Sequence, residues 1–337
     1  MNIKKWLNEM LESEVKRAVP VLSFPSIQLM DISVIDLISN SDNQANGMKL
    51  IAEKCNTGAA LSMMDLSVEA EAFGATIKFS DDEVPTVIGK LLESEEDVNA
   101  LKVPDIGAGR TGIYIEAINK ACKLITDRPV LAGVIGPFSL SGRLMDMTEI
   151  MCNCYTNPDM VKATLEKTTE FIIKYIQAFK SAGANGVVIA EPAAGLLSPD
   201  LNAEFSVPYV KTIVDSVQDD EFVVIYHNCG NVIPLIDQIL EIGAGAYHFG
   251  NAIEMDELLA NVPSNVLVMG NIDPSTEFRN GTPEGIRKKT LELMEKCCPK
   301  HKNFIISSGC DIPPMASWEN IMSFFEAVNE YYSKQKS

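Results

Sequence analysis

The chain has 337 residues, 46% of them hydrophobic and 22% charged, which is enough apolar material for a full core and too little charge for a disordered polymer. Its 28 basic residues stand against 46 acidic ones, a formal net charge of -18 that argues against nucleic acid or an anionic membrane surface as the main partner. A small ligand, or a protein with an electropositive face, suits that charge better.

In chain order, the opening MNIKKWLNEMLESEVKRAVP predicts a short amphipathic helical extension that lacks the apolar stretch of a secretory leader. No run approaches the roughly 18 apolar residues of a membrane span, so no membrane association is predicted and a cytoplasmic protein is expected. Short β-rich apolar runs then alternate with longer helical segments. The predicted strands are 19–24, 59–64, 130–135, 186–190, 222–227, 245–249, 266–270 and 303–307. The long segment 158–182 has apolar residues at helical spacing behind an Asn-Pro start, and Gly183 and Gly243 stand where helices should end before the next strand. Residues 66–127 are the least regular and predict an insertion with a hairpin around 75–88. Eight βα units without a Gly-, Ser- or Pro-rich linker predict an α/β fold, a (β/α)8 TIM barrel spanning 1–337 as one domain. A doubly wound sheet is the alternative, and the lack of a Gly-rich phosphate loop weighs against it.

In such a barrel the chemistry belongs just past the C-terminal strand ends. Asp65, Glu191, His227-Asn228-Cys229-Gly230, His248, Asn251, Asn271, Asp273 and Cys310-Asp311 all fall there. His227 and Cys229 form an H-x-C pair, and side chains two apart on an extended segment point the same way. Cys310 arrives from another strand end 81 residues later. One imidazole and two thiolates are a zinc set with an open fourth position, and soft ligands select zinc over magnesium or calcium. A lone cysteine is more often a small buried hydrophobe. Three soft ligands at strand ends, including one of only three histidines, point instead to a metal.

The remaining candidates leave alternatives open. Cys55 and Cys122 read as core residues, and the Cys152/Cys154 and Cys297/Cys298 pairs as surface or packing thiols. Asp65 is a general acid, an orienting base, or a cap for the segment after it. Glu191 is expected over the barrel mouth as a base, a group behind the metal ligands, or a loop cap. His248 is a fourth ligand, a hydrogen-bond partner for substrate, or a core histidine. His301 belongs to a surface loop, and Asn271-Ile272-Asp273-Pro274 reads as a turn that Asp273 caps.

The order HNCG, GNIDP, SSGCDIPP and WENI, after an earlier DLSVEAEAFG, resembles the uroporphyrinogen decarboxylase superfamily along most of the chain. True decarboxylases carry an arginine-rich N-terminal segment for the substrate's carboxylates, whereas KRAVPVLSFPSIQLMD here holds only Arg17. They also lack the H-x-C and place a histidine where Cys310 stands. Both departures resemble the zinc-dependent corrinoid methyltransferase branch, the methylcobamide:coenzyme M methyltransferases and their relatives. The resemblance implies a Zn2+ triad on His227, Cys229 and Cys310, with an active-site position for Asp65, which matches the decarboxylases' catalytic aspartate. It implies methylcobalamin, or a methylated corrinoid protein as docking partner, as donor. A small thiol such as coenzyme M is then the acceptor: its thiolate takes the methyl from Co(III), leaving a thioether and Co(I). A sulfonate on that thiol needs a cation, and Arg143, beyond the third strand, is the best placed; Asn251 and His248 join it as substrate-binding candidates. Asn251 stands where an acid completing the zinc sphere would be expected. Three rivals remain: transfer from a methylated substrate to a Co(I) corrinoid protein, a metal-free decarboxylase, and a regulatory protein that has lost turnover.

Overall fold

The computed structural model describes residues 1–335. Nine strands form: β1 Ala60–Leu61, β2 Thr76–Lys78, β3 Thr86–Ile88, β4 Val130–Ile135, β5 Gly186–Ala190, β6 Val223–Asn228, β7 Ala246–Phe249, β8 Leu267–Ile272 and β9 Phe304–Ser308. Seven pair in parallel in the order β1-β4-β5-β6-β7-β8-β9, while β2 and β3 form the expected antiparallel hairpin of the insertion. Continuous apolar runs such as VLAGVI and GVVIA suit strands covered on both faces, as parallel barrel strands are.

The first expected strand, 19–24, is not a regular strand. The chain at Ala18–Val21 nonetheless fills the eighth position. The Val19 N–H donates to the Ile306 carbonyl at 3.2 Å, and the Gly58 N–H donates to the Ala18 carbonyl at 2.8 Å. Pro20 has no N–H to continue a ladder, and side chains stand in for backbone partners. The Ser307 hydroxyl donates to the Val19 carbonyl at 2.7 Å, and the Val21 N–H donates to the Ser308 hydroxyl oxygen at 3.0 Å. The sheet thus closes into a (β/α)8 barrel with one irregular staff. The expected 59–64 strand shortens to two residues, and its ladder passes to side chains at Ser62, whose hydroxyl accepts from the Gly133 N–H at 2.9 Å.

Helix α1 (Ile3–Glu12) realises the N-terminal extension. Its Ile3, Trp6 and Met10 insert into a cluster with Val19, Val21, Leu61, Leu131, Val188, Val223, Ile225, Leu267, Met269 and Ile305, so the helix plugs the base of the barrel. A Trp ring buries about 150–250 Å², and the Trp6 indole N–H also donates to the Gly58 carbonyl at 3.1 Å. Helix α2 (Pro137–Met145) follows β4, and helix α3 (Pro158–Ser181) lies outside the sheet, with Val161, Leu165, Ile172, Tyr175 and Phe179 buried at helical spacing. Gly183 and Gly243 take positive φ of 105° and 73°, the left-handed turn needed to leave a helix for the next strand. None of the described helices is long and apolar enough to cross a membrane.

Candidate metal centre

Above the apolar layers, the barrel interior turns polar at its C-terminal end. His227 on β6 lies in register with His248 on β7, and Asn271 on β8 with Ser307 on β9. The H-N-C-G sequence makes its own turn. Asn228 points outward, donating from Nδ2 to the Glu191 carbonyl at 2.7 Å and accepting from the Gly230 N–H at 2.8 Å. His227 and Cys229, on either side of it, therefore share the inward face.

Cys310 is delivered by the loop after β9. The Gly309 N–H donates to the Ile272 carbonyl at 2.6 Å, and Asp311 accepts from the Met64 N–H at 2.8 Å. Two glycines let the loops approach. A Cβ on Gly250 would lie 2.6 Å from Cys229 Cα, and one on Gly309 would lie 2.9 Å from the Asn251 backbone nitrogen. Asn271 braces the same corner from β8, donating from Nδ2 to the Gly250 and Ile253 carbonyls at 2.9 and 3.0 Å. Asn271 and Ile272 end a strand and are not the turn expected of them. The turn starts at Asp273, whose carboxylate caps it by accepting from the Ser275 and Thr276 N–H groups, as expected.

His227, Cys229 and Cys310 come together with their ligand atoms all within 4.8 Å of one another, the one such group of His, Cys, Asp and Glu among the described residues. His227 Nε2 and Cys310 Sγ are 3.6 Å apart. A tetrahedral zinc with Zn–S of about 2.3 Å and Zn–N of about 2.0 Å separates such atoms by roughly 3.5 Å, so this donor set fits the ion. All eight cysteines are free. Burial pushes the Cys55 and Cys297 thiols up to about 12, and Cys122, Cys154 and Cys298 to about 11. Cys229 moves the other way, chiefly through its contact with Cys310 and against the opposing effect of burial, while the same contact and burial raise Cys310.

The other expected residues fall differently. His248 is 2% exposed, and its two ring nitrogens face His227 Nδ1 at 2.7 Å and the Ser307 hydroxyl at 2.8 Å. It is therefore not open to substrate, which corrects that expectation and leaves it supporting His227. Burial, and then His227, lower its pKa well below the usual imidazole value. Glu191 does not stand over the mouth. Ala190 faces the interior, so strand alternation turns Glu191 outward, where its carboxylate accepts from the Phe138 and Ser139 N–H groups at 3.0 and 2.6 Å and caps α2. Burial raises it to about 7, against the lowering effect of those hydrogen bonds.

Asp65 is buried in an ionic knot. One oxygen accepts from Arg110 and from the Tyr114 hydroxyl at 2.7 Å; the other accepts from the Ser67 hydroxyl and N–H at 2.6 and 3.1 Å. Arg110 also pairs with Glu71 at 2.6 Å. Asp65 meets Ser67 just ahead of the helix Val68–Ala72, whose N-cap is Ser67 itself, and Arg110 and Tyr114 are partners that spacing did not disclose. Two further acids share this wall: burial lifts Glu69 and Asp311 to about 8, and neighbouring Asp65 adds to both shifts. The DLSVEAE stretch held the signal for Glu69; only the fold brings Asp311, through its bond from the Met64 N–H, near Asp65 as well. Asn251 is exposed and donates to Asp273 at 2.9 Å, tying the β7 and β8 loops together. Arg143 on α2 is half-buried, with no hydrogen bond or ion pair recorded among the described residues, and burial alone lowers its pKa.

Residues 18–331 match the uroporphyrinogen decarboxylase (URO-D) family. The chain is 27% identical to the methylcobamide:CoM methyltransferase MtbA of Methanosarcina acetivorans over 79% of its own length and 78% of that protein. It is 26% identical to the uroporphyrinogen decarboxylase of Hydrogenovibrio crunogenus over 90% of its length and 87% of that protein. Its fold is that of a methyltransferase from Methanosarcina mazei, with a TM-score of 0.86 at 24% identity, covering 98% of this chain and 99% of that one.

Proposed function

The chain belongs to the uroporphyrinogen decarboxylase family, and from that premise we propose that it is a zinc-dependent methyltransferase that moves a methyl group from a methylated corrinoid, borne on a partner protein, to a small thiol such as coenzyme M. Overall identity does not choose between the two kinds of relative, at 27% and 26%. The observation that carries the choice is the convergence of His227, Cys229 and Cys310 within 4.8 Å at the C-terminal strand ends.

In this reading His227 Nε2 and the two sulfurs would hold the ion, three protein ligands that would leave it open to the acceptor. Bound zinc supplies the Lewis acidity that keeps a substrate thiol deprotonated at neutral pH. The chain's own groups do the rest. Both cysteines would bind the ion as thiolates, so metal uptake would release protons. Arg143 offers an uncommitted guanidinium to an acceptor's anionic end. The Asp65–Arg110–Tyr114 knot holds the β1 end rigid beside the loop of Cys310, which Asp311 ties to Met64. Phe79, Leu196 and Met315, in segments that follow different strands, expose 43%, 71% and 48% of their surface, apolar groups that a docking protein could cover.

Zinc content and methyl transfer from methylcobalamin to coenzyme M test the reading together. The expected result is about one zinc per chain with thiol-dependent turnover, both lost in Cys310→Ser while the fold is retained. A zinc-replete, reduced preparation without zinc would overturn it and bring forward a metal-free decarboxylase.

A further inference from the structure

His227 lies in a line of buried polar groups whose hydrogens can be counted. The Ser307 hydroxyl has a single hydrogen and lies 2.7 Å from the Val19 carbonyl oxygen, which can only accept, so that hydrogen is committed there. The same Ser307 oxygen lies 2.8 Å from His248 Nε2 and must accept, which places a hydrogen on His248 Nε2. With Nε2 as the ring's donor, the neutral imidazole leaves its Nδ1 bare to accept. That Nδ1 lies 2.7 Å from His227 Nδ1, and the single hydrogen between them belongs to His227. A second contact demands the same: His227 Nδ1 is 3.2 Å from the His248 backbone carbonyl, which has nothing to donate. His227, His248 and Ser307 are at most 3% exposed, so bulk water offers no alternative partners.

We propose that Ser307 and His248 are positioning residues that hold His227 as its Nδ1–H tautomer, aiming a bare Nε2 at Cys229 and Cys310 before any ion arrives. The inference rests on the metal-centre reading given above. A metal needs the unprotonated ring nitrogen, and the hydrogen bond made by the other nitrogen decides which one that is. Here the choice is made by a strand-to-strand relay anchored on a backbone carbonyl of the irregular staff, an orienting group that carries no charge. Removing the Ser307 hydroxyl leaves His248 free to take either tautomer, and His227 held as Nδ1–H only by its longer contact to the His248 carbonyl.

The test uses metal-free protein with 15N-labelled histidine, in which only three imidazoles contribute, with His301→Gln used to assign one. Long-range proton–nitrogen correlations should show His227 with its hydrogen on Nδ1 and His248 with its hydrogen on Nε2. Zinc affinity, read by competition with a chromophoric chelator, should fall about 10–100-fold in Ser307→Ala and recover in Ser307→Thr, which restores the hydroxyl. An Nε2–H form of His227 in the unaltered protein overturns the inference with no variant needed. Unchanged zinc affinity in Ser307→Ala also overturns it while the metal centre stands. Failure of the unaltered protein to take up zinc instead overturns the metal-centre reading, and with it this role for the pair, whatever the tautomers.

Discussion

Arg143, half-buried, differs from the two buried arginines in what surrounds it. Arg110 is saturated by Asp65, Glu71, Ser67 and Tyr114, and Arg128 by Asp127, Thr57 and the Cys55 carbonyl. Arg143 has paid part of its desolvation without such partners, a state that an incoming anion relieves. A charge-assisted hydrogen bond is worth about 1.5–3 kcal/mol, so Arg143→Ala should raise KM for a sulfonated thiol about 10–100-fold. Zinc content should hold, and an uncharged thiol should show little change in KM. Equal losses for charged and uncharged thiols would remove Arg143 from the acceptor site. Glu69 is a different case. Its Oε1 accepts from the Ile135 N–H at 3.0 Å, its Oε2 is buried without a partner, and burial raises it from 4.5 to about 8. The folded chain therefore keeps a proton that the unfolded chain releases. Glu69 contributes fully to stability below about pH 4.5, and that contribution is lost as pH rises towards 8. Glu69→Gln cannot ionise, so its Tm relative to the unaltered protein should climb between these limits. A Tm difference flat with pH would show that Glu69 is ionised in the folded protein.

At the scale of elements, the centre depends on how closely three loops pack. The turns after β6, β7 and β9 meet where Gly250 lies against Cys229, with a Cβ there also 3.0 Å from the Gly309 carbonyl. The neighbours are backbone and cannot swing aside as a flexible side chain would. Gly250→Ala should therefore displace both sulfur-bearing loops, costing about 1–3 kcal/mol with a fall in Tm and at least a tenfold loss of zinc affinity. Thermal melts and chelator competition read these separately, and a lower Tm with unaltered zinc affinity would mean that the loops yield away from the ligands. Strand ends were legible for a plain reason: continuous Val- and Ile-rich runs mark strands buried on both faces, and the polar residues that interrupt them mark the mouth. The 19–24 staff was not, because Pro20 and the serine hydroxyls of β9 replace a regular ladder with contacts that no local pattern announces.

At the scale of the whole molecule, Phe79, Leu196 and Met315 are exposed apolar side chains on a strongly acidic protein, and docking can be separated from chemistry at Leu196. Leu196→Glu should lower kcat/KM with a methylated corrinoid protein about tenfold or more while sparing transfer from free methylcobalamin, which needs no docking contact. Equal loss with both donors would place Leu196 in the fold instead of the interface. By itself the sequence determined the alternation that makes a barrel, the hairpin insertion, the N-terminal helix, and the three soft side chains of the candidate centre, because each depends on period, composition or spacing along the chain. It also carried the H-x-C and lone cysteine that depart from the decarboxylases. Only the tertiary structure decided that Glu191 turns outward to cap a helix, that Asp65 is tied to Arg110 and Tyr114, and that His248 reaches back through Ser307 to the Val19 carbonyl. Those roles rest on contacts between residues 21 to 288 positions apart, where the direction of a side chain and the count of its hydrogens, and not the residue type, settle what it does.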